Sequence, residues 1–533
     1  MKIRNTVLAA GIVAIAVLFA PFYGPVIRAR AATNGADDLG KDMKSVAEVF
    51  ALVEKNFADP VSSEKAFYGD QGRGGAIPGM LHTLDPHSNF VDPAEYKEMQ
   101  RRQHAQYYGV GMGIGMDQTK VIVTEPFVNS PAWHAGLRRG DVIVSVDGKD
   151  TTTLESPAVA DLLRGPKGTQ VKVSVKREGA TEPFTTTITR GTIETGVVDA
   201  FWVKPGIAYL GVTSFEAQNI SRDVETFMQK LGEQNVQGLI LDLRYNLGGL
   251  VTEAVSLAGR FLHNNQTVVS HRGRAEQEQI FRAKANALAQ KYPIVVLVNE
   301  QSASASEIVS GALQDHDRAW IMGQNTFGKG LVQAQFPLSE GAALLLTIAH
   351  YYTPSGRLIQ RDYSHQSFWE YYQHRNESTT DTQDVKATDS GRKVFGGGGI
   401  TPDEKYVTPK LNVFQRRMGP QLQANWFYRF ANTYFGAEKP TLPTGWQPDD
   451  ATMDRFKAFL KAQNMTFTDA EFSENREWLR GRLRWEFYFR AFDKATADRA
   501  QWADDPEVKK AIESLPKAQS LTSQAEKVYA MRK

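Results

Sequence analysis

The stretch IVVLVNEQSASASEIVSGALQ, residues 294–314, determines the architecture of the middle of this 533-residue chain. It begins with a continuous apolar run, which is typical of a strand covered on both faces of a sheet, and small residues then lead into a helix from Ser304 to Leu313. A similar apolar run, GLILDL at 238–243, precedes it, and a further strand is expected at 319–322. This alternation of strand and helix predicts an α/β core.

The regions outside this core have different patterns of apolar residues and glycines, and the length of the chain predicts several domains. Apolar residues at helical spacing between Ser45 and Phe57 predict a helix, whereas glycines and short alternating strands from Tyr107 onward predict a small β-rich domain. We therefore expect a multidomain α+β protein with these segments: a helical segment at 40–105, the β-rich domain at 107–192, the α/β core at 199–407 and a helical region at 408–533.

Aromatic residues are frequent in the last of these segments. Some of them recur at helical spacing and share one helix face: Trp478, Trp485, Phe489 and Phe492. Such a stripe favours packing, either within a core or against another subunit.

The composition excludes several kinds of chemistry. The chain has no cysteine, which excludes thiol nucleophiles, disulfides, iron–sulfur clusters and cysteine-based zinc sites. The ten histidines include no HExxH motif and no tight pair with nearby carboxylates, so we expect no metal site. Catalysis by a serine and a lysine, the candidates discussed below, would need no organic cofactor either. A formal net charge of +2 gives no argument for nucleic-acid binding, which needs a concentrated basic face.

The N-terminus predicts export from the cytoplasm. Lys2 and Arg4 precede an apolar run at 7–20, and Ala29-Arg30-Ala31 has the small–x–small pattern of a signal-peptidase site. Residues 1–31 are therefore interpreted as a signal peptide, with an uncleaved membrane anchor as the alternative. Either interpretation places the remainder in the periplasm or another extracytoplasmic space.

The serines of the opening stretch are candidate nucleophiles. A serine at the start of a helix lies where backbone N–H groups point outward and can stabilise negative charge. The residues alone do not choose among Ser302, Ser304 and Ser306, and Ser304 with Glu307 also fits an ordinary helix-capping box.

Lys329 is a candidate base, because no histidine motif stands near these serines. It lies between glycines in TFGKG, and a lysine whose pKa is lowered by burial can take a proton from serine. A solvated surface lysine is the alternative. Gln333 would lie near Lys329 in a helix, but in a strand their backbones would be about 13 Å apart, so this contact stays open.

A glycine pair offers the third element. DLRYNLGG, residues 242–249, directly follows the first apolar strand and exposes backbone N–H groups at the edge where α/β proteins bind ligands. Together with the N–H after the nucleophile, one of them would form an oxyanion hole. An ordinary glycine turn is the alternative.

With these elements in order, residues 40–405 resemble the carboxyl-terminal processing, or tail-specific, serine proteases. Separate motifs carry the resemblance in family order: LDPHSNF at 84–90, GVGMGI at 109–114, NSPAWHAGLRRGDVIVSVDG at 129–148, LRGPKGT at 163–169, DLRYNLGG, SASASE, TFGKG with Gln333, YYTPSGRLI at 351–359 and GGITPD at 398–403.

The resemblance implies a role for each motif residue. Ser304 would be the nucleophile, Lys329 the base and Gln333 the residue that positions the base. The backbone N–H groups of Gly248 and Ala305 would form the oxyanion hole. The chain departs from the family pattern at two positions, where Gln301 and Leu247 replace residues that are often glycine and proline.

The resemblance also implies that residues 107–192 form a PDZ domain and that the core has a crotonase/ClpP-like fold. Gly109, Val110, Gly111 and Met112 would hold the C-terminal carboxylate of a protein substrate, which adds as a strand. The expected function is thus a serine endopeptidase that recognises exported proteins by their tails; membrane association and self-assembly stay open. The alternatives are a non-catalytic PDZ adaptor and a small-ligand binding module.

Overall fold

A computed structural model describes residues 36–69, 74–103, 106–117, 119–177, 180–194, 196–275, 277–284, 291–363, 371, 381–418, 426–436, 440–443 and 445–531. The predicted signal peptide or anchor at 1–31 lies outside the described residues. Among the helices within those ranges, none combines the length and the apolar character that crossing a membrane requires.

By its internal contacts the chain divides at Gly79 into two units, which we describe separately. The first unit contains α1 (Ala36–Asn56) and α2 (Ser63–Tyr68), and α3 (Ala76–His82) begins in it. The rings of Phe50 and Phe67 lie 5.0 Å apart, so α1 and α2 contact each other. The helix predicted between Ser45 and Phe57 is therefore present, and it starts earlier than predicted.

The second unit opens with β1 (Asn89–Val91) and α4 (Pro93–Gln103), followed by the β-rich domain. The domain consists of β2 (Gln106–Gly109), β3 (Met112–Asp117), β4 (Lys120–Pro126), α5 (Pro131–His134), β5 (Val142–Val146), β6 (Lys149–Asp150), α6 (Ser156–Leu163), β7 (Gln170–Lys176), β8 (Phe184–Thr189) and β9 (Gly191–Glu194).

Its main sheet has the order β3-β4-β5-β7-β8, with β6 paired to β5, and β2 pairs separately with β9. Strand β7 shows why the sequence folds this way, because Val171, Val173 and Val175 alternate with polar residues and are buried. Strand β3 forms an edge of this sheet, and helix α6 packs beside it.

The α/β core follows. Its elements are β10 (Val198–Lys204), β11 (Ile207–Val212), α7 (Ile220–Leu231), β12 (Gly238–Asp242), α8 (Val251–Phe261), β13 (Thr267–Arg272), β14 (Gln279–Arg282), β15 (Ile294–Val298), α9 (Ala305–Asp315), β16 (Trp320–Gly323), β17 (Leu331–Pro337), β18 (Ala343–Tyr352), β19 (Asp381–Ala387), β20 (Lys393–Gly396) and β21 (Glu404–Lys405).

The central sheet of the core has the order β10-β11-β12-β15-β16-β21 and is parallel from β11 onward. A second sheet has the order β1-β18-β13-β14, with β17 paired to β18, and β17 begins two residues after Lys329. The predicted continuous apolar strands at 238–243 and 294–298 are β12 and β15, and both are fully buried.

The C-terminal region is helical, as predicted. It contains α10 (Val413–Met418), α11 (Trp426–Phe435), α12 (Asp450–Ala462), α13 (Asp469–Glu474), α14 (Arg476–Ala491), α15 (Lys494–Asp504) and α16 (Pro506–Met531). Helix α16 covers the face of the central sheet opposite α9: Ile240, Val295 and Leu297 pack with Val508 and Leu515. Their neighbours in sequence on β12 and β15 pack on the other face, which explains the unbroken apolar runs.

The aromatic residues of α14 pack against two different parts of the chain. Trp478 packs in an aromatic core of the C-terminal helices, 5.8 Å from the ring of Phe427. Trp485 and Phe489 instead lie around the guanidinium of Arg139 from the β-rich domain, with ring centroids 5.6 and 5.0 Å from its Cζ. The stripe therefore joins two parts of one chain as well as forming a core.

Arg139 should anchor the β-rich domain to these helices. Its guanidinium also pairs with Glu486 at 2.5 Å, and both side chains are largely buried. Arg139→Ala removes the ring contacts and leaves the Glu486 carboxylate without this partner, so we expect the free energy of unfolding to fall by about 3 kcal/mol. Thermal and denaturant unfolding of the full chain measure this loss.

The neighbouring Arg138 provides the control for this substitution, because it is exposed. Arg138→Ala should change the free energy of unfolding by less than about 1 kcal/mol. Equal losses in the two variants would contradict an anchoring role for Arg139.

Candidate active site

Ser304 lies at the turn between β15 and α9, as the N-cap residue of that helix. Its backbone has φ 54° and ψ −111°, a region that residues with a side chain rarely adopt. Such strain persists only when the surrounding structure fixes it, and it is frequent at active sites. The side chain is partly exposed.

The structure separates the three serines that the sequence left open. Ser302 and Ser306 are fully buried, and their hydroxyls donate to backbone oxygens, that of Ser302 to Leu243 O at 2.8 Å and that of Ser306 to Asn246 O at 2.9 Å. Both hydroxyls hold the 242–249 turn in place. Of the three, Ser304 alone combines exposure with the strained turn.

Glu307 connects the Ser304 turn to the Lys329 segment. Its buried carboxylate accepts the N–H of Ser304 at 2.8 Å, that of Lys329 at 2.9 Å and that of Gly328 at 2.7 Å. The hydroxyl of Thr326 donates to it as well. Burial raises the pKa of Glu307, and these hydrogen bonds oppose the rise. The glutamate of the predicted capping box thus also holds the backbone of the candidate base near that of the candidate nucleophile.

Tyr351 strengthens the same connection. Its buried hydroxyl lies 3.0 Å from the carbonyl oxygen of Ser304 and also contacts that of Lys329. Burial, and then the charge of Glu307, raises the pKa of Tyr351 well above its usual value, so the phenol stays a hydrogen-bond donor.

The amine of Lys329 contacts Gln333, which the sequence had left open. Nζ donates to Gln333 Oε1 at 2.9 Å, and Gln333 Nε2 donates to the carbonyl oxygen of His87 at 2.7 Å. The contact forms because Lys329 precedes β17, whose register shifts between Val332 and Gln333, and the long lysine side chain reaches along the strand. Burial lowers the pKa of Lys329, while the carboxylates of Asp85 and Glu307 oppose this effect.

Sequence reasoning assigned no role to the residues that hold Gln333. In the LDPHSNF loop, Asp85 accepts the N–H of His87 at 2.7 Å and the N–H and hydroxyl of Ser88 at 2.8 and 2.6 Å. These bonds fix the carbonyl of His87 that receives Gln333. A short Asp-x-x-Ser turn that caps its own backbone is a signal that the sequence does contain.

His87 itself is not suited to act as a base. Burial, and then the positive charge of Lys329, lowers its pKa to about 3, so the imidazole is neutral and a poor proton acceptor. Its Nε2 lies 3.1 Å from the hydroxyl of Tyr371. The ring therefore packs in the wall of the site while its backbone carbonyl supports Gln333.

Gly248 lies directly against Ser304, the candidate nucleophile. A Cβ on this residue would stand 2.8 Å from Ser304 Cβ and 2.9 Å from the backbone nitrogen of Ala305, and its φ of 96° also favours glycine. Its N–H, however, donates to Asn246 Oδ1 at 2.9 Å. The predicted oxyanion donors are thus adjacent, but that of Gly248 is occupied, whereas Ala305 is the first residue of α9, where N–H groups have no acceptor within the helix.

In the predicted carboxylate-binding loop at 109–112, two backbone carbonyl groups accept hydrogen bonds from within the domain. The carbonyl of Val110 accepts the N–H of Ala132 at 2.7 Å, and that of Gly111 accepts the hydroxyl of Ser130 at 2.6 Å. Because the C=O and the following N–H of a trans peptide point in opposite directions, the N–H groups of Gly111 and Met112 face away from these contacts. Edge strand β3 continues from this loop. Gly109 itself ends β2 and pairs with Gly191.

No set of metal-ligating side chains is present in the part of the chain that the structure describes. Within those residues, no group of three or more histidine, aspartate or glutamate side chains is arranged to hold a metal ion.

Comparisons with known proteins identify the family of the chain and the type of the β-rich domain. The sequence model of Peptidase family S41 matches residues 206–364, and that of the PDZ domain matches residues 122–177. A carboxy-terminal-processing protease of Bartonella bacilliformis is 36% identical over 332 residues, which cover 62% of this chain and 75% of that protein. A carboxyl-terminal-processing protease of Synechocystis sp. is 38% identical over 293 residues, covering 54% and 68%.

Among solved structures, the photosystem II D1 C-terminal processing protease is 27% identical, with 71% of this chain and 97% of that chain covered and a TM-score of 0.33. The assignment rests on the two sequence relatives, because each is at least 36% identical to this chain over at least 68% of its own length. The two family models agree with it. The chain therefore belongs to the carboxyl-terminal-processing proteases of peptidase family S41 and is a serine-type peptidase with a PDZ domain.

Proposed function

We propose that this peptidase cleaves exported proteins by an acyl-enzyme mechanism in which Ser304 is the nucleophile and Lys329 the general base. The observation that carries the proposal is the shared Glu307 carboxylate, which binds the backbone of both residues, together with the 2.9 Å bond from Lys329 Nζ to Gln333. Burial lowers the pKa of Lys329, which favours the neutral amine that a base requires.

The reaction proceeds in two acyl transfers. The neutral amine of Lys329 takes the proton from Ser304 as Oγ bonds to the scissile carbonyl carbon. The intermediate collapses by breaking the C–N bond, and the ammonium returns the proton to the leaving amine. Water then attacks the carbonyl carbon of the ester while Lys329 takes one of its protons. Collapse breaks the bond from that carbon to Oγ, the ammonium returns the proton to Oγ, and the carboxylic acid that leaves gives its own proton to solvent.

The negative oxygen of each intermediate requires backbone donors. We assign them to Ala305 N–H and, once it leaves Asn246 Oδ1, to Gly248 N–H. In this step only the N–H of Gly248 exchanges partners, while the rest of the 242–249 turn keeps its position beside Ser304. The position of Gly248 against Ser304 supports the assignment.

PDZ-mediated recognition of substrate tails is the second part of the proposal. The outward N–H groups of Gly111 and Met112 can hold a terminal carboxylate, and edge strand β3 can pair with the residues before it. Binding the tail on the same chain as the catalytic site raises the local concentration of the scissile segment.

Substitution of either member of the catalytic pair tests the mechanism. Ser304→Ala should reduce cleavage of a C-terminally tailed unfolded protein to background, because no nucleophile remains. Lys329→Arg should lower kcat/KM by about 10²- to 10⁴-fold at every pH, since a guanidinium does not release its proton. Rates of product formation, followed by mass spectrometry, measure both effects.

The wild-type pH profile and a matched variant complete this test. The kcat/KM of the wild type should rise as the ammonium loses its proton, with a midpoint below the usual lysine value of 10.5. Ser310→Ala, the same change further along α9, should keep activity within a few-fold. An active Ser304→Ala protein would overturn the mechanism, and a wild type that binds tails without cleaving them would favour the adaptor.

The tail proposal predicts discrimination between substrate termini. A peptide with a free C-terminal carboxylate should have a KM at least about tenfold lower than the same peptide with a terminal amide, because charge-assisted bonds are lost with the amide. Gly111→Ala should raise KM for the carboxylate, since its Cβ would lie 2.4 Å from Ser130 Cβ.

Gly136→Ala is the matched control, because Gly136 also has a positive φ, of 81°, but open space around its Cβ position. This variant should retain the preference for the free carboxylate. Equal KM values for the two peptides with the wild-type enzyme would exclude tail recognition by the carboxylate.

Export is the third part of the proposal. The charged start, the apolar run at 7–20 and the Ala29-Arg30-Ala31 sequence support it. N-terminal sequencing of the protein from the extracytoplasmic fraction should find Ala32 as the first residue. A full-length chain in the membrane fraction would instead indicate an anchor, and recovery from the cytoplasm would contradict export.

A further inference from the structure

A cluster of buried charges lies behind the turn that carries Gly248. Arg244, within DLRYNLGG, donates through Nη1 to Glu507 Oε2 at 2.8 Å and through Nη2 to Asp242 Oδ2 at 2.7 Å. Its Nη2 also lies 2.9 Å from Asp505 Oδ2. Asp505 directly precedes α16, and Glu507 lies in the first turn of that helix. This region is outside the family match, so two distant parts of the chain share one guanidinium.

Arg244 fixes the beginning of the turn. Tyr245, the next residue, has a positive φ of 63°, which its side chain disfavours, so the turn needs external support. Asn246 then orders the remainder, because it accepts the N–H of Gly248 and donates to Val212 O. A shift of Arg244 would therefore displace Gly248 relative to Ser304.

We propose that Glu507 is a positioning residue for catalysis: its carboxylate holds Arg244 and thereby keeps the 242–249 turn, with Gly248, in place beside Ser304. This inference rests on the proposed function of Ser304 and Gly248. It assigns the C-terminal helix a part in the reaction, although that helix does not contact the reacting atoms.

The balance of charge in the cluster makes this support sensitive to pH. One guanidinium faces the carboxylates of Asp242, Asp505 and Glu507, so a buried excess of negative charge remains when all are ionised. Burial raises the pKa of Glu507 to about 7; Arg244 opposes the rise, and Asp505 and Asp242 add to it. The titratable and charged groups that face this cluster are Asp242, Arg244, Asp505, Tyr209, Tyr245 and Tyr406.

The direction of the effect follows from the ionised form. Above pH 7 Glu507 is charged and attracts Arg244; below pH 7 it is mostly protonated, and the attraction weakens. The substitution Glu507→Gln imitates the protonated form, because glutamine has nearly the same size as glutamate, carries no charge and keeps an oxygen that can accept the hydrogen bond from Arg244. Wild type at low pH should thus behave like this variant.

The experiment compares kcat and KM of wild type and Glu507→Gln on one tailed peptide from pH 6 to pH 8.5. We expect kcat of the variant to be about tenfold lower at pH 8.5, less than the loss on deleting an oxyanion donor, and within about twofold of wild type at pH 6. KM should change by less than about twofold, since the tail site is untouched. Glu513, an exposed glutamate on the same helix, provides the matched control. The kcat and KM of Glu513→Gln should equal those of wild type at every pH.

A merely structural role for Glu507 would lower activity by the same factor at every pH. That result, or equal kcat at pH 8.5, would overturn the proposal. If Ser304→Ala proved active, the proposed function would fail first; an inactive Ser304→Ala with an unaffected Glu507→Gln would defeat this inference alone.

A second measurement requires no change at Glu507. In full-length Ser304→Ala protein, amide hydrogen exchange of residues 244–250, corrected for the intrinsic effect of pH, should be several-fold faster at pH 6 than at pH 8. Residues 294–298 of the buried strand β15 should show no such change. Equal protection of the turn at both pH values would contradict the proposal even if Glu507→Gln did not fold.

Discussion

The buried carboxylate of Glu307 is the interaction on which the catalytic arrangement depends. A carboxylate without partners in such a place would cost several kcal/mol, so its position requires the donors that surround it. Those donors are backbone N–H groups of the Ser304 turn and of the Gly328-Lys329 segment. The same bonds that make the burial of Glu307 tolerable therefore bring together the segments of the proposed nucleophile and the proposed base, which are separate in sequence.

Segments that precede and follow this arrangement in the sequence hold it in place. The LDPHSNF loop fixes the carbonyl that receives Gln333, and α16 supplies Glu507, one of the carboxylates that hold Arg244. The C-terminal helices also enclose Arg139 of the β-rich domain. Because α16 covers one face of the central sheet, removing this region would expose apolar strand residues as well as release the Arg244 cluster.

The strands and the domain types could be predicted from sequence because they depend on local patterns. Continuous apolar runs identify buried strands such as β12 and β15, and several separate motifs in family order identify the family. The choice of Ser304 over Ser302 and Ser306 could not come from spacing, since it depends on which hydroxyls the folded turn buries and binds. The partnership of Arg244 and Glu507 joins residues 263 positions apart, and no periodicity records such a contact.

In the proposed mechanism, the partner of Lys329 helps to keep this lysine usable as a base. A carboxylate at the position of Gln333 would orient the amine equally well, but its charge would stabilise the ammonium and raise the pKa of Lys329. An amide oxygen orients the amine and adds no net charge. The nearby carboxylates of Glu307 and Asp85 are instead satisfied by other donors, and they only partly offset the effect of burial on Lys329. Neutral orientation and shielded negative charge together allow a buried lysine to lose its proton and still remain in position.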